Sequence, residues 1–292
     1  LSERLIRVRI KGLWFVIMDN IKYNVLIPKI RQKFILNTLK ENKRIDNRSF
    51  YEYRALKIRY GHLPNADGSA EVSLGNTIVL AGVKVDITNP FPSEPDKGII
   101  IVNAEFPPVA SPDFEPGPPD ENAIELARIV DRGLRKPEIV DLSSLCIVPG
   151  QKVYRIWIDI YALNHDGNMI DAAGIAAVVA LMNTKYKKFT FVQDKGLVDT
   201  GEKAQLTLKN FPVYVTHVKI GDHILLDPVL EEESLADCKI TTIVSEGNLI
   251  TGIQKSGVGG ISLDELEKIM QNSINLYQTI KENIQKEVSK NG

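Results

Sequence analysis

The chain has 292 residues, with 36 basic against 37 acidic side chains, a formal net charge of −1, 43% hydrophobic and 25% charged residues. These values are ordinary for a soluble globular protein able to bury a real core, and they exclude a uniform cationic coat for DNA or RNA. Two cysteines, Cys146 and Cys238, without any CxxC pair exclude a disulfide scaffold and make a reducing, cytoplasmic setting the expectation.

Charge is spread unevenly, because residues 1–60 hold 15 Lys or Arg against 5 Asp or Glu. Local positive potential, rather than the total, decides whether phosphates are attracted. In LSERLIRVRIKGLWFVIMDN, arginines precede the apolar run GLWFVIM. That run is too short for a membrane span, and no small-residue cleavage pattern follows it. Residues 1–27 therefore read as a peripheral extension, with Met18 as an alternative start. No later stretch approaches transmembrane length.

From Pro28, KIRQKFILNTLKEN places Ile30, Phe34, Ile35 and Leu39 at helical spacing without a breaker. GSAEVSLGNTIVLAGVKVDI alternates Ala70, Val72 and Leu74, then Ile78 and Leu80, around Gly75-Asn76, which predicts a tight antiparallel hairpin. GIIIVNAEFPP reads as a buried strand.

FEPGPPDENAIELARIVDRGLR, residues 114–135, is extended through its prolines and turns helical only after Asp120, the predicted N-cap. Ala123, Ile124, Ala127, Val130 and Leu134 supply its packing face, while Arg128, Arg132 and Arg135 share one stripe. Pairs Glu125–Arg128, Arg128–Asp131 and Asp131–Arg135 have spacings that allow weak surface ion pairs, so a solvated face and an anion-binding stripe both remain open.

VYRIWIDIYALNHDGNMIDAAGIAAVVALMNTKY changes from period two to a small-residue helical pattern after His165-Asp166-Gly167-Asn168. That spacing predicts a strand, a turn and a central helix whose Ala and Gly residues let another element approach its backbone. The pattern weakens over residues 190–210. Four short strands follow, with turns at Gly221-Asp222 and Glu246-Gly247-Asn248, and a final helix opens with a Ser262/Glu265 capping box. Runs of strands answered by helices indicate an α+β fold. His217 and His223 lack a cysteine or acidic partner at zinc-like spacing.

RIDNR (44–48), NADGSAEVSLGNTIVLAGVKVDI (65–87), FEPGPPDENAIELARIVDR (114–132), WIDIYALNHDGNMIDAAGIAAVVAL (157–181) and LLDPVLEEESLADCKI (225–240) resemble the RNase PH-like subunits of the archaeal exosome, and among them the non-catalytic one. The resemblance runs from about Pro28 to the C-terminus. It implies an RNase PH-like core of the ribosomal protein S5 domain 2-like type over residues 28–205 and a smaller α+β subdomain over residues 206–292. It further implies a hetero-hexameric ring, a trimer of dimers, that shortens single-stranded RNA from its 3′ end by phosphorolysis. A catalytic RNase PH-like sister would be the paired subunit, RNA-binding cap subunits would join the ring, and no membrane would be involved. Phosphate and a divalent metal such as Mg are expected in the sister, with no cofactor in this chain.

Active relatives resemble one another at a DGGTR turn that helps to cradle phosphate, where this chain reads HDGNMID. Met169-Ile170 followed by Asp171 is expected to crowd and repel an anion, and acidic Asp120-Glu121 replaces an arginine-serine helix entry. No catalytic residue is therefore expected. The acidic cluster Asp227, Glu231, Glu232, Glu233 and Asp237 lies where active relatives carry catalytic carboxylates, but at shorter spacing, and reads as a turn and solvated edge without metal. KSGVGG (255–260) is not a P-loop and reads as turn geometry rather than an anion nest. By resemblance Arg128 and Arg132, with Arg135 added by helical geometry, project into the sister's site and hold the RNA backbone. An autonomous phosphorolytic exoribonuclease or nucleotidyltransferase is the alternative, and a metabolic enzyme on a similar scaffold is a third reading.

Overall fold

The computed structural model describes residues 6–10, 13–17, 27–194 and 196–290. The question of Met18 as a start lies outside the described residues. Strands β1 (Ile6–Ile10) and β2 (Leu13–Ile17) form an antiparallel pair, and helix α1 spans Lys29–Lys40.

The first sheet is built from β3 (Leu56–Tyr60), β4 (Gly68–Leu74), β5 (Thr77–Thr88), β6 (Ile99–Glu105), β7 (Cys146–Val148) and β8 (Lys152–Asn164), in the order β3-β4-β5-β8-β6 with β7 beside β8. The hairpin at Gly75-Asn76 is present, but its inward register differs from the predicted one. Val79, Ala81 and Val83 are buried, whereas Ile78 and Leu80 are only partly so. A two-residue turn pairs Leu74 with Thr77 and Val72 with Val79, and directly opposed residues share a face of the sheet.

Helices α2 (Glu121–Arg135) and α3 (Met169–Met182) lie between this sheet and a second one. That second sheet runs β1-β2-β14-β13-β11-β12, with β11 Val213–Ile220, β12 His223–Leu226, β13 Cys238–Ser245 and β14 Leu249–Ser256. β11 shows the period of two. Tyr214 and Thr216 face α2 and α3, and Val218 and Ile220 join Ile35 and Leu39 of α1. The alternate residues His217 and Lys219 meet Asn272 and Glu265 of the final helix, α5 (Leu263–Lys290). The Ser262/Glu265 capping box opens α5 as expected.

α3 is buried along almost its whole length, which explains its small residues. The fully buried Tyr214 ring lies against both Gly133 of α2 and Gly174 of α3, and its hydroxyl donates to the Val130 carbonyl at 2.7 Å. Over residues 190–210, where the sequence pattern fades, β9 (Lys185–Val192) and β10 (Gly196–Gln205) form a separate two-stranded ribbon. Its residues are mostly exposed on both faces, so no burial alternation was available to mark it. No helix among the described residues is long and apolar enough to cross a membrane.

Candidate nucleic-acid interface

α2 begins where the prolines end. The Asp120 carboxylate accepts the Ala123 backbone N–H at 2.8 Å, satisfying one of the free donors of the first turn. Ala123, Leu126, Ala127, Val130 and Leu134 are buried, but Ile124 is 51% exposed rather than part of the packing face. Glu125 points inward, 6% exposed, and accepts a hydrogen bond from Ser256 Oγ of β14 at 2.6 Å. Its expected surface pairing with Arg128 is therefore absent.

The three arginines are not equivalent. Arg135 is held by Asp131, with Nε to Oδ1 at 2.6 Å, and it also donates to the Ile100 carbonyl. Arg132 is half-buried, and its Nη1 donates to Gln254 Oε1 of β14 at 3.2 Å. Burial, and after it the neighbouring Arg128 cation, push the Arg132 pKa down. Arg128 is exposed and has no hydrogen bond or ion pair among the described residues. Arg128, exposed, and Arg132, half-buried, thus lie one turn apart without a carboxylate ion pair among the described residues, while Arg135 is engaged by Asp131 and the Ile100 carbonyl. Such a pair suits a phosphate backbone, which a planar cation can grip bidentately.

The HDGNMID turn is sealed rather than crowded. Met169 and Ile170 are 2% and 4% exposed and pack into the core, so they do not project into an anion's path as the sequence suggested. Asn168, in the left-handed region at φ 49°, donates Nδ2 to Asp171 and Asp227 at 2.9 and 2.7 Å. Its own backbone N–H, at the start of α3, donates to Glu233 Oε2 at 2.8 Å. A carboxylate of this chain thus occupies the anion position that a helix N-terminus offers. Gly167, at φ +81°, lies so close to the Pro228–Leu230 backbone that a Cβ there would overlap it. The segment leading into α4 (Leu230–Leu235) closes the turn from above.

Asp171 is fully buried and accepts hydrogen bonds from Tyr53 Oη at 2.8 Å, Asn168 Nδ2, Thr216 Oγ1 at 2.7 Å and the Thr216 N–H at 3.1 Å. Burial pushes its carboxyl up to about 7, although those hydrogen bonds pull the other way.

The acidic cluster differs from the predicted solvated edge, because most of it is a buried ion-pair network. Asp227 receives Arg54 in a bidentate grip at 2.9 and 2.8 Å, and Arg48 at 3.1 Å. Glu232 takes Arg44 Nε at 2.9 Å, Glu233 takes Lys239 at 2.5 Å, and the partly exposed Glu231 takes Arg31 at 2.8 Å. Asp237 accepts the Gly221 N–H at 2.8 Å. With these carboxylates matched by cations and N–H groups, the donor set does not fit a catalytic metal. Among the described residues no group of three His, Cys, Asp or Glu is placed to hold a metal ion. Sequence reading missed Arg44, Arg48 and Arg54 as the counterions of this cluster. The available signal was that five acids so close in sequence need cations if they are buried.

The remaining motifs are structural. The Gly259 N–H donates to the Asp237 carbonyl at 2.8 Å, which engages one backbone donor of the KSGVGG turn within the fold. His217 is buried on Asn272, with its pKa pushed down to about 4 by burial, and it belongs to no group of three His, Cys, Asp or Glu among the described residues that could hold a metal.

Residues 52–187 match the model of the 3′ exoribonuclease family, domain 1, and residues 210–275 match domain 2. The chain is 48% identical over 242 residues to the exosome complex component Rrp42 of Thermococcus gammatolerans, covering 82% of this chain and 89% of that protein. A chain of the Archaeoglobus fulgidus exosome with RNA bound to the active site superposes with a TM-score of 0.80 at 43% identity, covering 87% of this chain and 97% of that one. A chain of an archaeal exosome core gives a TM-score of 0.77 at 39% identity, covering 88% and 96%. The fold, the two matched domains and these identities together mean that the chain belongs to the 3′ exoribonuclease (RNase PH) family, in the line of the Rrp42 exosome components.

Proposed function

We propose that this chain is a structural, RNA-binding subunit of an archaeal exosome, silent by itself, which lends Arg128 and Arg132 to the active site of a catalytic RNase PH-like partner. The observation that carries the reading is the pair of adjacent guanidinium groups on α2, which among the described residues have no partner for one and only a neutral amide for the other. Its similarity to a chain from an exosome with RNA bound supports RNA as the anion. In this reading the two subunits alternate in a hexameric ring, a trimer of dimers, with RNA-binding cap subunits above it. Phosphate and magnesium act in the partner, where the attacking phosphate and the departing RNA end need cations that the HDGNMID turn does not offer.

What this chain does is bind and orient. Arg128 and Arg132 neutralise backbone phosphates irrespective of base, so RNA can be retained while its 3′ end advances. Arg135 supports the end of α2 rather than RNA. Glu233 and its Lys239 partner keep the start of α3 closed to inorganic phosphate.

The test is phosphate-dependent release of nucleoside diphosphates from a labelled oligoribonucleotide by the purified chain, by the partner and by the two together. Turnover is expected only where the partner is present. Phosphate- and magnesium-dependent turnover by highly purified chain alone would establish the autonomous enzyme instead.

A further inference from the structure

β14 touches the arginine helix at two polar points. Ser256 Oγ donates to Glu125 Oε1 at 2.6 Å, and two residues earlier Gln254 Oε1 accepts from Arg132 Nη1 at 3.2 Å. Residues 254 and 256 share a face of β14, while residues 125 and 132 lie two turns apart on α2, so strand and helix run past each other in opposite senses. Glu125, Ser256 and Gln254 are 6%, 5% and 4% exposed. The matched domain 2 thus braces the helix of domain 1 through groups removed from water.

The contact at Arg132 has a particular chemistry. A carboxylate at residue 254 would neutralise the guanidinium and compete with a phosphate for it. An apolar side chain would leave a half-buried cation with rotamer freedom to lose on binding. A neutral amide oxygen fixes one N–H of the fork and leaves the charge and the remaining donors for an anion. Arg128, which has no such anchor, is free to adapt. Gln254 is held in this orientation because only its oxygen can accept from arginine. Its Nε2 has no hydrogen-bond partner among the described residues, so the amide's one bond within the fold is the one to Arg132.

We infer that Gln254 is a positioning residue for RNA binding: it holds the Arg132 guanidinium in place for a phosphate without cancelling its charge. This rests on the reading of α2 as an RNA grip.

The test uses the ring assembled with the catalytic partner, its mass checked for each variant, and equilibrium binding of a single-stranded oligoribonucleotide across a salt series. Gln254→Met, which keeps length and loses the amide, is expected to weaken binding three- to tenfold with the ring intact. In an Arg132→Ala background the same change should have no further effect, because Gln254 acts through Arg132. Gln254→Glu should weaken binding too, and should also make log affinity against log salt shallower by about 0.7, as one phosphate contact is neutralised from within. A purely structural role would give losses that add to those of Arg132→Ala and would leave the salt slope alone. If Arg132→Ala weakens binding but Gln254→Met does not, or if the two losses add, the inference is wrong and the RNA grip stands. If Arg132→Ala leaves binding unchanged, the grip itself is wrong and the inference falls with it.

Discussion

The Asn168 backbone N–H donates to Glu233 Oε2 at 2.8 Å, and Glu233 Oε1 lies 2.5 Å from Lys239 Nζ. Two carboxylate oxygens thereby join the start of the central helix to the second sheet. Burial by itself would raise the Glu233 pKa, but Lys239 and His165 outweigh it and leave the group below its ordinary value. The acid is ionised, buried and matched.

Replacing it should be costly. Glu233→Ala removes the carboxylate from a buried Lys239 and from the Asn168 N–H, so the isolated chain is expected to lose about 3–5 kcal/mol in urea unfolding. It should gain no phosphate-dependent turnover, because the turn still lacks the hydroxyl and cation of an active relative. Unchanged stability would mean that the pair is not what closes this turn.

Tyr214 offers a second test. Gly174→Ala raises intrinsic helix propensity by about 1 kcal/mol, yet the added methyl would overlap the Tyr214 ring. Overpacking is expected to win, with a net loss of about 1–3 kcal/mol measured by thermal or urea unfolding. A stabilised variant would show that the ring can move away.

These two sites differ in how legible they were. The run of Ala and Gly in residues 172–177 announced that some element approaches the helix closely, although not that Tyr214 would be the one. Asp120, the Ser262/Glu265 box and the two glycine turns of the second sheet were readable because each depends on neighbours in sequence. Glu233 was not, since Asn168 lies 65 residues away, and Lys239, although six residues on, is brought back to it only by the turn from α4 into β13. The same holds for Gln254, an ordinary strand residue until folding places it on Arg132. Helical spacing grouped Arg135 with the other two arginines, but it carries no information about the Ile100 carbonyl that engages it.

Stability against pH should show two opposing contributions. His217, with a folded pKa near 4, binds fewer protons when folded, so its contribution is lost as pH falls from about 6.5 to 4. Asp171, raised to about 7, binds more protons when folded, so its contribution is present below about 4 and lost as pH rises to about 7. The two largely cancel between pH 4 and 6.5. In Asp171→Asn the histidine contribution is no longer offset, and urea midpoints should rise with pH over that window more steeply than in the parent. Parallel curves for parent and variant would contradict the raised Asp171 value.

Arg135 separates structure from grip. Arg135→Ala should lower stability by about 1 kcal/mol through the lost Asp131 pair and carbonyl hydrogen bond. RNA affinity of the assembled ring should stay within twofold, with the same salt slope. A tenfold loss in an intact ring would restore Arg135 to the RNA-binding set.

If Arg128 and Arg132 hold RNA phosphates in the partner's site, RNA affinity against salt will show it in a ring carrying Arg128→Glu with Arg132→Glu. Charge-assisted contacts of this kind contribute about 1.5–3 kcal/mol each, so retention should fall at least tenfold, equally for every base sequence. The slope of log affinity against log salt should become shallower by about 0.7 per lost contact. If the two arginines only decorate a solvated face, the double variant will bind RNA as the parent does, with an unchanged slope in a ring of unchanged mass, and the account of this chain as an RNA-gripping subunit will be wrong.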